Sequence, residues 1–187
     1  IPSISYSNDC IPSLPHDPKP GGLHLKFVNN SYLCLAIKSY IQLMTTHEQY
    51  MSKALEEAAI AAEEGEIPVG ALVVCKGQII ARAHNETEKL NDATAHAEMI
   101  AITMAAAHLG GKYLNECTLY VTLEPCTMCA GALAWVQLGG LVIGAPDPHR
   151  GYSRLSPPVL HPRTQVTAGI LADQCSKIVK DFFHHKR

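Results

Sequence analysis

The segment CTLYVTLEPCTMCAGALAW, residues 117–135, constrains the fold more than any other part of the chain. Its first half is rich in β-branched and aromatic residues and reads as a strand. Pro125 stands where a helix can begin, because the N–H that proline lacks has no partner in the first turn anyway. The helix that follows carries Cys126 and Cys129 three residues apart, so both thiols project from one face. A strand that feeds directly into a helix is a building unit of α/β sheets. The sequence has no second Cys-x-x-Cys, so any further metal ligand must come from another residue type.

The flanking segments continue this pattern. MSKALEEAAIAAEEGE, residues 51–66, repeats apolar residues at helical spacing and stops at Gly65, with Pro68 beyond it. GALVVCKGQIIARAH reads as two strands joined by a tight turn at Lys76–Gly77. Thr94 is expected to cap a helix through AHAEMIAITMAAAHL that ends at Gly110–Gly111. The helix after the thiols is expected to run to Gly139–Gly140, with Trp135 packed inward. LVIGA and QVTAG supply two more strands, and ILADQCSKIVKDFFHHK a closing helix in which one of Phe182 and Phe183 is expected in the core. The order α-β-β-α-β-α-β-loop-β-α predicts one α/β domain with helices on both faces of a sheet.

Residues 1–43 are of another kind. Five of the twelve prolines fall between Pro2 and Pro20, arginine does not occur, and no clean periodicity appears. The apolar stretch YLCLAI is short and far from residue 1, which argues against a secretory signal. The segment is read as a loosely ordered extension, with the functional domain over residues 44–187 and Met44 or Met51 as candidate native starts.

A chain of 187 residues suits one domain with a single large core. With 47% apolar and 17% charged residues it is a folded protein rather than a disordered one. No apolar run approaches the ~20 residues that cross a bilayer, so no membrane partner is expected. Seven cysteines, an odd and scattered set, argue against a disulfide framework and for a reducing compartment, the cytoplasm. Cys75 and Cys175 read as buried small apolar residues. The formal charge of −2 conceals a basic end: residues 146–187 carry seven Lys and Arg against three Asp, a surface able to meet a polyanion.

The chemistry-bearing residues fall into two clusters. AHAEMIA places His96 and Glu98 at the start of one predicted helix, as Cys126 and Cys129 lie at the start of another. Helix N-termini carry partial positive charge, which lowers thiol pKa values and favours anionic ligands. One imidazole and two thiolates make three ligands for a tetrahedral zinc, with the fourth position open for water, as in catalytic sites. His-x-Glu followed by Pro-Cys-x-x-Cys is the signature of zinc-dependent nucleobase deaminases, and the assignment rests on that motif with helix geometry in support. Zinc activates its water near neutral pH, and Glu98, not needed as a ligand, can shuttle the proton to ring nitrogen and departing ammonia.

Beyond the zinc motif, residues from about His47 to Arg187 resemble the bacterial tRNA-specific adenosine deaminases of the zinc-dependent cytidine/deoxycytidylate deaminase family. EGEIPVGALVV, TLYVTLEPCTMCAGAL and GILADQCSKIVKDFF carry the resemblance, with the segment from His84 to Glu98. It implies a three-layer α/β/α cytidine-deaminase-like fold with a central mixed five-stranded sheet, a homodimer, and one zinc per subunit on His96, Cys126 and Cys129. It also implies that Glu98 is the proton shuttle and that the enzyme converts the wobble adenosine of a tRNA anticodon stem-loop to inosine. Asn85 would hydrogen-bond the nucleoside, the Ala97 N–H would hold the reacting edge, and Asp147 would lie near flanking nucleotides. The stretch PDPHRGYSRLSPPVLHP departs from the family's small-residue loop. Arg150, Tyr152 and Arg154, with Lys180 and Phe183 of the closing helix, are the candidate RNA contacts.

Three rival readings share part of this pattern. A guanine deaminase, or another deaminase of a free base or nucleoside, would need the same zinc ligands and the same glutamate; the basic C-terminal quarter favours RNA. A non-catalytic tRNA-binding subunit would typically lose Glu98. Thiol–disulfide exchange at Cys126–Cys129 would leave His96 and Glu98 without a role.

Overall fold

A computed structural model describes residues 31–185, with side chains described from Thr46 onward. Helix α1 spans Ser31–Glu63 and is followed by strands β1, Gly70–Cys75, and β2, Gln78–His84. Helix α2 spans Ala97–Leu109, β3 Cys117–Leu123, α3 Thr127–Trp135, and β4 Gly140–Ala145. A 3-10 turn at Tyr152–Arg154, strand β5 at Gln165–Ala168 and helix α4 at Ala172–His185 complete the order. The five strands form one sheet in the order β2-β1-β3-β4-β5. β1 is antiparallel to β2 and β3, whereas β3, β4 and β5 run parallel, so the sheet is mixed as expected.

Strand β1 is buried at all six positions, which its continuous apolar sequence GALVVC permits because helices cover both faces of the sheet. Val73, Leu119, Val121 and Leu141 face one layer, where Ala97, Ala101, Ile102 and Ala105 of α2 and Leu133 of α3 close over them. Leu72, Val74, Tyr120 and Val142 face the other, against Met51 and Ala54 of α1 and Cys175 of α4. The β1–β2 turn lies at Lys76–Gly77, both with positive φ (50° and 78°), the primed geometry that matches strand twist. Cys75 and Cys117 are register partners across β1 and β3, and both are buried; Cys175 is buried as well.

The chain departs from its sequence pattern in four places. Helix α1 begins at Ser31, so residues 31–43 are helical rather than loosely ordered; the expectation for residues 1–30 lies outside the described residues. The N-cap of α2 is His96, not Thr94, because the Thr94 N–H and hydroxyl both bond Asp92 Oδ1 (2.8 and 2.7 Å) in a turn that closes before the helix starts. Helix α3 stops at Trp135 instead of running to Gly139, and Gln137 turns the chain out with φ 52°. Trp135 is 85% exposed, because Cys129, Ala130 and Leu133 define the inward face of α3 and residue 135 lies across from it. Phe182 is half-buried and Phe183 exposed, edge to face with each other.

Candidate active site

The site forms where β3 and β4 end and two helices begin. His96 is the N-cap of α2 and Cys126 the N-cap of α3, each with extended backbone and neither using its side chain to cap its helix. Both side chains are therefore free to point away from their helices. Cys129 and Glu98 stand one step inside the same helices, 0% and 4% exposed. Because β3 leads directly into α3, and the turn from Asn85 to His96 brings α2 alongside, two segments thirty residues apart share one pocket.

Within it the Sγ atoms of Cys126 and Cys129 are 3.7 Å apart, and His96 Nδ1 is 3.7 Å from Cys126 Sγ and 3.5 Å from Cys129 Sγ. A tetrahedral zinc with ordinary Zn–S and Zn–N bonds would place two sulfurs about 3.8 Å apart and sulfur and nitrogen about 3.6 Å apart. The donor triangle fits that ion. The electrostatics agree with a thiolate site: the Cys129 thiol and His96 beside Cys126 hold its pKa down to about 3. The same contact, with burial, pushes the Cys129 thiol up, and the Cys126 thiolate raises His96. Glu98, buried and facing the Cys129 thiol, has its pKa raised by desolvation.

These groups line a cavity of about 980 Å³ that opens toward α4. Asn85, Asp147, Arg150, Lys180 and Phe183, all expected near substrate, line it. Ala97 begins α2 as a buried residue between His96 and Glu98, which line the cavity, and its N–H belongs to the helix's first turn, where N–H groups have no intrahelical partner. Two expected RNA contacts are not brought to the cavity wall. Tyr152 packs against the core with its N–H donated to the Pro125 carbonyl (3.0 Å), and the Arg154 guanidinium turns back to the His149 carbonyl.

The sequence did not single out two carboxylates, Glu124 in the wall and Glu66 behind Asn85 and Thr87. Glu124, 8% exposed, accepts the N–H of Asp147 (3.0 Å) and of Ser153 (2.9 Å), tying the 147–153 loop beside Cys126. Glu66, 1% exposed, accepts the Asn85 amide (2.9 Å), the Thr87 hydroxyl (3.1 Å) and the N–H groups of Glu88 (2.9 Å) and Lys89 (2.8 Å). Burial alone would raise the Glu66 pKa, but the Lys89 N–H and the other donors outweigh it and hold the carboxyl below its usual value. Glu124 was an acidic side chain in an otherwise apolar frame, whereas Glu66 closes an acidic run with Glu63 and Glu64 that does not mark it out. A further group, Glu64, His84 and Glu86, could also hold a metal by spacing, but Lys89 bridges its two carboxylates.

Residues 44–145 match the family model of the cytidine and deoxycytidylate deaminase zinc-binding region. The chain is 42% identical over 149 residues to the tRNA-specific adenosine deaminase of Agrobacterium fabrum, covering 77% of this chain and 98% of that protein. It is 43% identical to the Bacillus subtilis protein of the same name, covering 77% of this chain and 92% of that one. A structure solved in a study of A-to-I editing by tRNA:A34 deaminases matches with TM-score 0.66 and 41% identity, over 70% of this chain and 98% of that one. A guanine deaminase from Nitrosomonas europaea matches with TM-score 0.63 but 25% identity, over 72% of this chain and 83% of that one.

Proposed function

The chain belongs to the cytidine and deoxycytidylate deaminase family, and from that premise we propose that it deaminates the wobble adenosine of tRNA hydrolytically, giving inosine and ammonia. The observation that carries this reading is the His96–Cys126–Cys129 donor triangle beside a buried Glu98, in a chain 42% identical to tRNA-specific adenosine deaminases. Guanine deamination is the weaker reading, since one guanine deaminase is only 25% identical and another, from Bacillus subtilis at 39% identity, matches only 54% of this chain with TM-score 0.52.

In this reading His96 Nδ1 and the two thiolates hold one zinc. When bound, zinc supplies a water acidified to the neutral range and polarises the reacting centre. The protein's own groups do the rest. Glu98 carries two protons in turn. The water's first proton goes to the ring nitrogen, where inosine keeps it; the second, from the hydroxyl so added to the ring, goes to the amine, which leaves as ammonia. Burial of Glu98 keeps bulk water from competing. The Ala97 N–H holds the reacting edge of the base, and Asn85 fixes the nucleoside against the opposite wall. Asp147, whose Oδ1 accepts the N–H groups of His149 (2.8 Å) and Arg150 (3.0 Å), shapes the loop that receives flanking nucleotides. Arg150 and Lys180 supply charge to phosphates, and Phe183, 47% exposed at the mouth, offers a stacking face. Tyr152 shapes that loop, a role that its packing against the core favours over direct contact with RNA, and the exposed Arg154 braces it through the His149 carbonyl.

The substrate in this reading is the anticodon stem-loop, the functional domain spans residues 44–187, and the enzyme works as a homodimer. Trp135, 85% exposed on α3, is one apolar group that a second copy could cover. No helix among the described residues is long and apolar enough to cross a membrane. The free thiols Cys75, Cys117 and Cys175 suit a reducing cytoplasm.

The test is product identity. Zinc-loaded protein is incubated with an anticodon stem-loop carrying a wobble adenosine, and separately with guanine, adenosine and cytidine, with Glu98→Ala as control. Inosine from the stem-loop alone, detected by mass after digestion, is the expected result. Turnover of a free base or nucleoside without an RNA product would replace this reading with a small-molecule deaminase.

A further inference from the structure

The polarity of Asn85 is set by its neighbours. Its Nδ2 donates to Glu66 Oε2 (2.9 Å) and to Thr87 Oγ1 (3.0 Å). A carboxylate has only lone pairs to offer, so the amide nitrogen, and not the amide oxygen, must face Glu66. The Thr87 hydroxyl spends its own hydrogen on the same Glu66 oxygen (3.1 Å), so toward Asn85 it can only accept. Both hydrogens of the amide are thereby used, and the Asn85 backbone N–H goes to the Val69 carbonyl (3.0 Å). Glu66 in turn is anchored by the N–H groups of Glu88 and Lys89, which leaves it no freedom to release the amide.

One atom remains. Asn85 is 5% exposed and lines the cavity, and its Oδ1 accepts no hydrogen bond from any described residue. No buried side-chain oxygen among the described residues is sealed off without a partner, so this one has access to the cavity. Asn85 therefore meets the substrate as an acceptor and can bind only a donor.

We infer that Glu66 and Thr87 are positioning residues that aim Asn85 Oδ1 at the 2′-hydroxyl of the edited nucleotide, so that this wall of the pocket selects ribose over deoxyribose. The inference rests on the tRNA reading above. An adenine ring offers N1, N3 and N7 as acceptors, which an amide oxygen cannot bind. Its single donor is the 6-amino group, which is the group displaced beside Glu98. Within a continuous strand the 3′- and 5′-oxygens are esterified, so the sugar keeps one donor, the 2′-hydroxyl, the group by which proteins tell RNA from DNA.

The experiment uses the zinc-loaded protein and two stem-loops identical except for a 2′-deoxy sugar at the edited adenosine, with kcat/KM measured for each. Wild-type protein is expected to prefer the ribose substrate by at least about tenfold, the effect of leaving a buried acceptor unpaired. A 2′-amino sugar, which restores a donor, should recover most of that loss. In Glu66→Gln the amide is no longer forced into one orientation, and the preference should shrink to within about twofold, whereas a merely structural role would slow both substrates alike. Equal wild-type rates on the two stem-loops overturn this inference and leave the tRNA reading standing, as does failure of the 2′-amino sugar to recover activity. An undiminished preference in a zinc-replete Glu66→Gln removes Glu66 from the account. If wild-type protein deaminates neither stem-loop, both readings fall together.

Discussion

Gly151 lies directly against the Glu124 carboxylate: a Cβ built at residue 151 would stand 2.4 Å from its Cδ, closer than atoms pack. The same glycine forms an isolated bridge with Cys126, so the loop, the carboxylate and a metal donor meet at one point. Gly151→Ala must push either Glu124 or the loop aside, at a cost of about 1–3 kcal/mol. Activity on a stem-loop should fall mainly through a raised KM, with zinc content unchanged. Steady-state kinetics together with metal analysis check this, and an alanine variant with wild-type KM would show that the loop adjusts freely.

Zinc retention should depend on each of the three donors. Cys126→Ser, Cys129→Ser and His96→Ala are each expected to lose the stoichiometric metal and to lower Tm by at least about 5 °C, because the ion joins the starts of α2 and α3. Metal content by atomic emission and thermal unfolding with and without chelator measure both effects. Any single variant that keeps a full zinc equivalent contradicts the ligand assignment.

Glu98→Gln separates metal binding from proton transfer. The amide fills the same buried space but cannot shuttle a proton, so kcat should fall ~10²–10⁴-fold while zinc stays bound. A zinc-replete Glu98→Gln protein that turns over at the wild-type rate would sink the shuttle role.

Glu66 makes stability pH-dependent in a stated direction. Its folded-state pKa lies below the usual carboxylate value of 4.5, so its contribution is complete above that value and is lost as pH falls through the lower folded value. The urea midpoint of the wild type should therefore drop more steeply below pH 4.5 than that of Glu66→Gln, which has no proton to bind there. At neutral pH the glutamine variant should be less stable by about 1–3 kcal/mol, since its NH₂ cannot accept the donors that the carboxylate took. Parallel pH profiles for the two proteins would refute the depressed pKa.

In the homodimer proposed above, Trp135→Glu should weaken the subunit contact without unfolding the chain, because the indole contributes nothing to the core of its own subunit. Sedimentation with circular dichroism makes the measurement. A Trp135→Glu protein that remains dimeric would place the subunit contact on another face.

What could be read in the sequence was local. The strand pair around Lys76–Gly77 and the helix that starts at Cys126 depend on short-range propensity, the mixed five-stranded sheet was implied by the family resemblance, and the structure reproduces them. The His96–Cys126–Cys129 group, which could hold a metal ion, was legible through the His-x-Glu and Pro-Cys-x-x-Cys motif, with helix geometry in support. What escaped was long-range or directional. Nothing near Glu66 shows that it will meet Asn85, nineteen residues away, and nothing near Glu124 shows that it will hold Ser153. Trp135 was misplaced because an indole among alanines looks like core until the inward face of α3 is known. The cap of α2 was misplaced by two residues because Thr94 had a nearer partner in Asp92.

The division between the helix-borne donors and the 146–164 connection has a consequence for inheritance. His96, Cys126, Cys129 and Glu98 are held by helices locked into the layered core, whereas the connection joins the rest through Glu124, Pro125, the bridge of Gly151 to Cys126 and the packing of Tyr152 and Leu160. On the proposed reading, stretches of that connection away from its anchors can change in length and charge while the four site residues keep their places. The chemistry would be passed on unchanged, and the fit to nucleic acid would not.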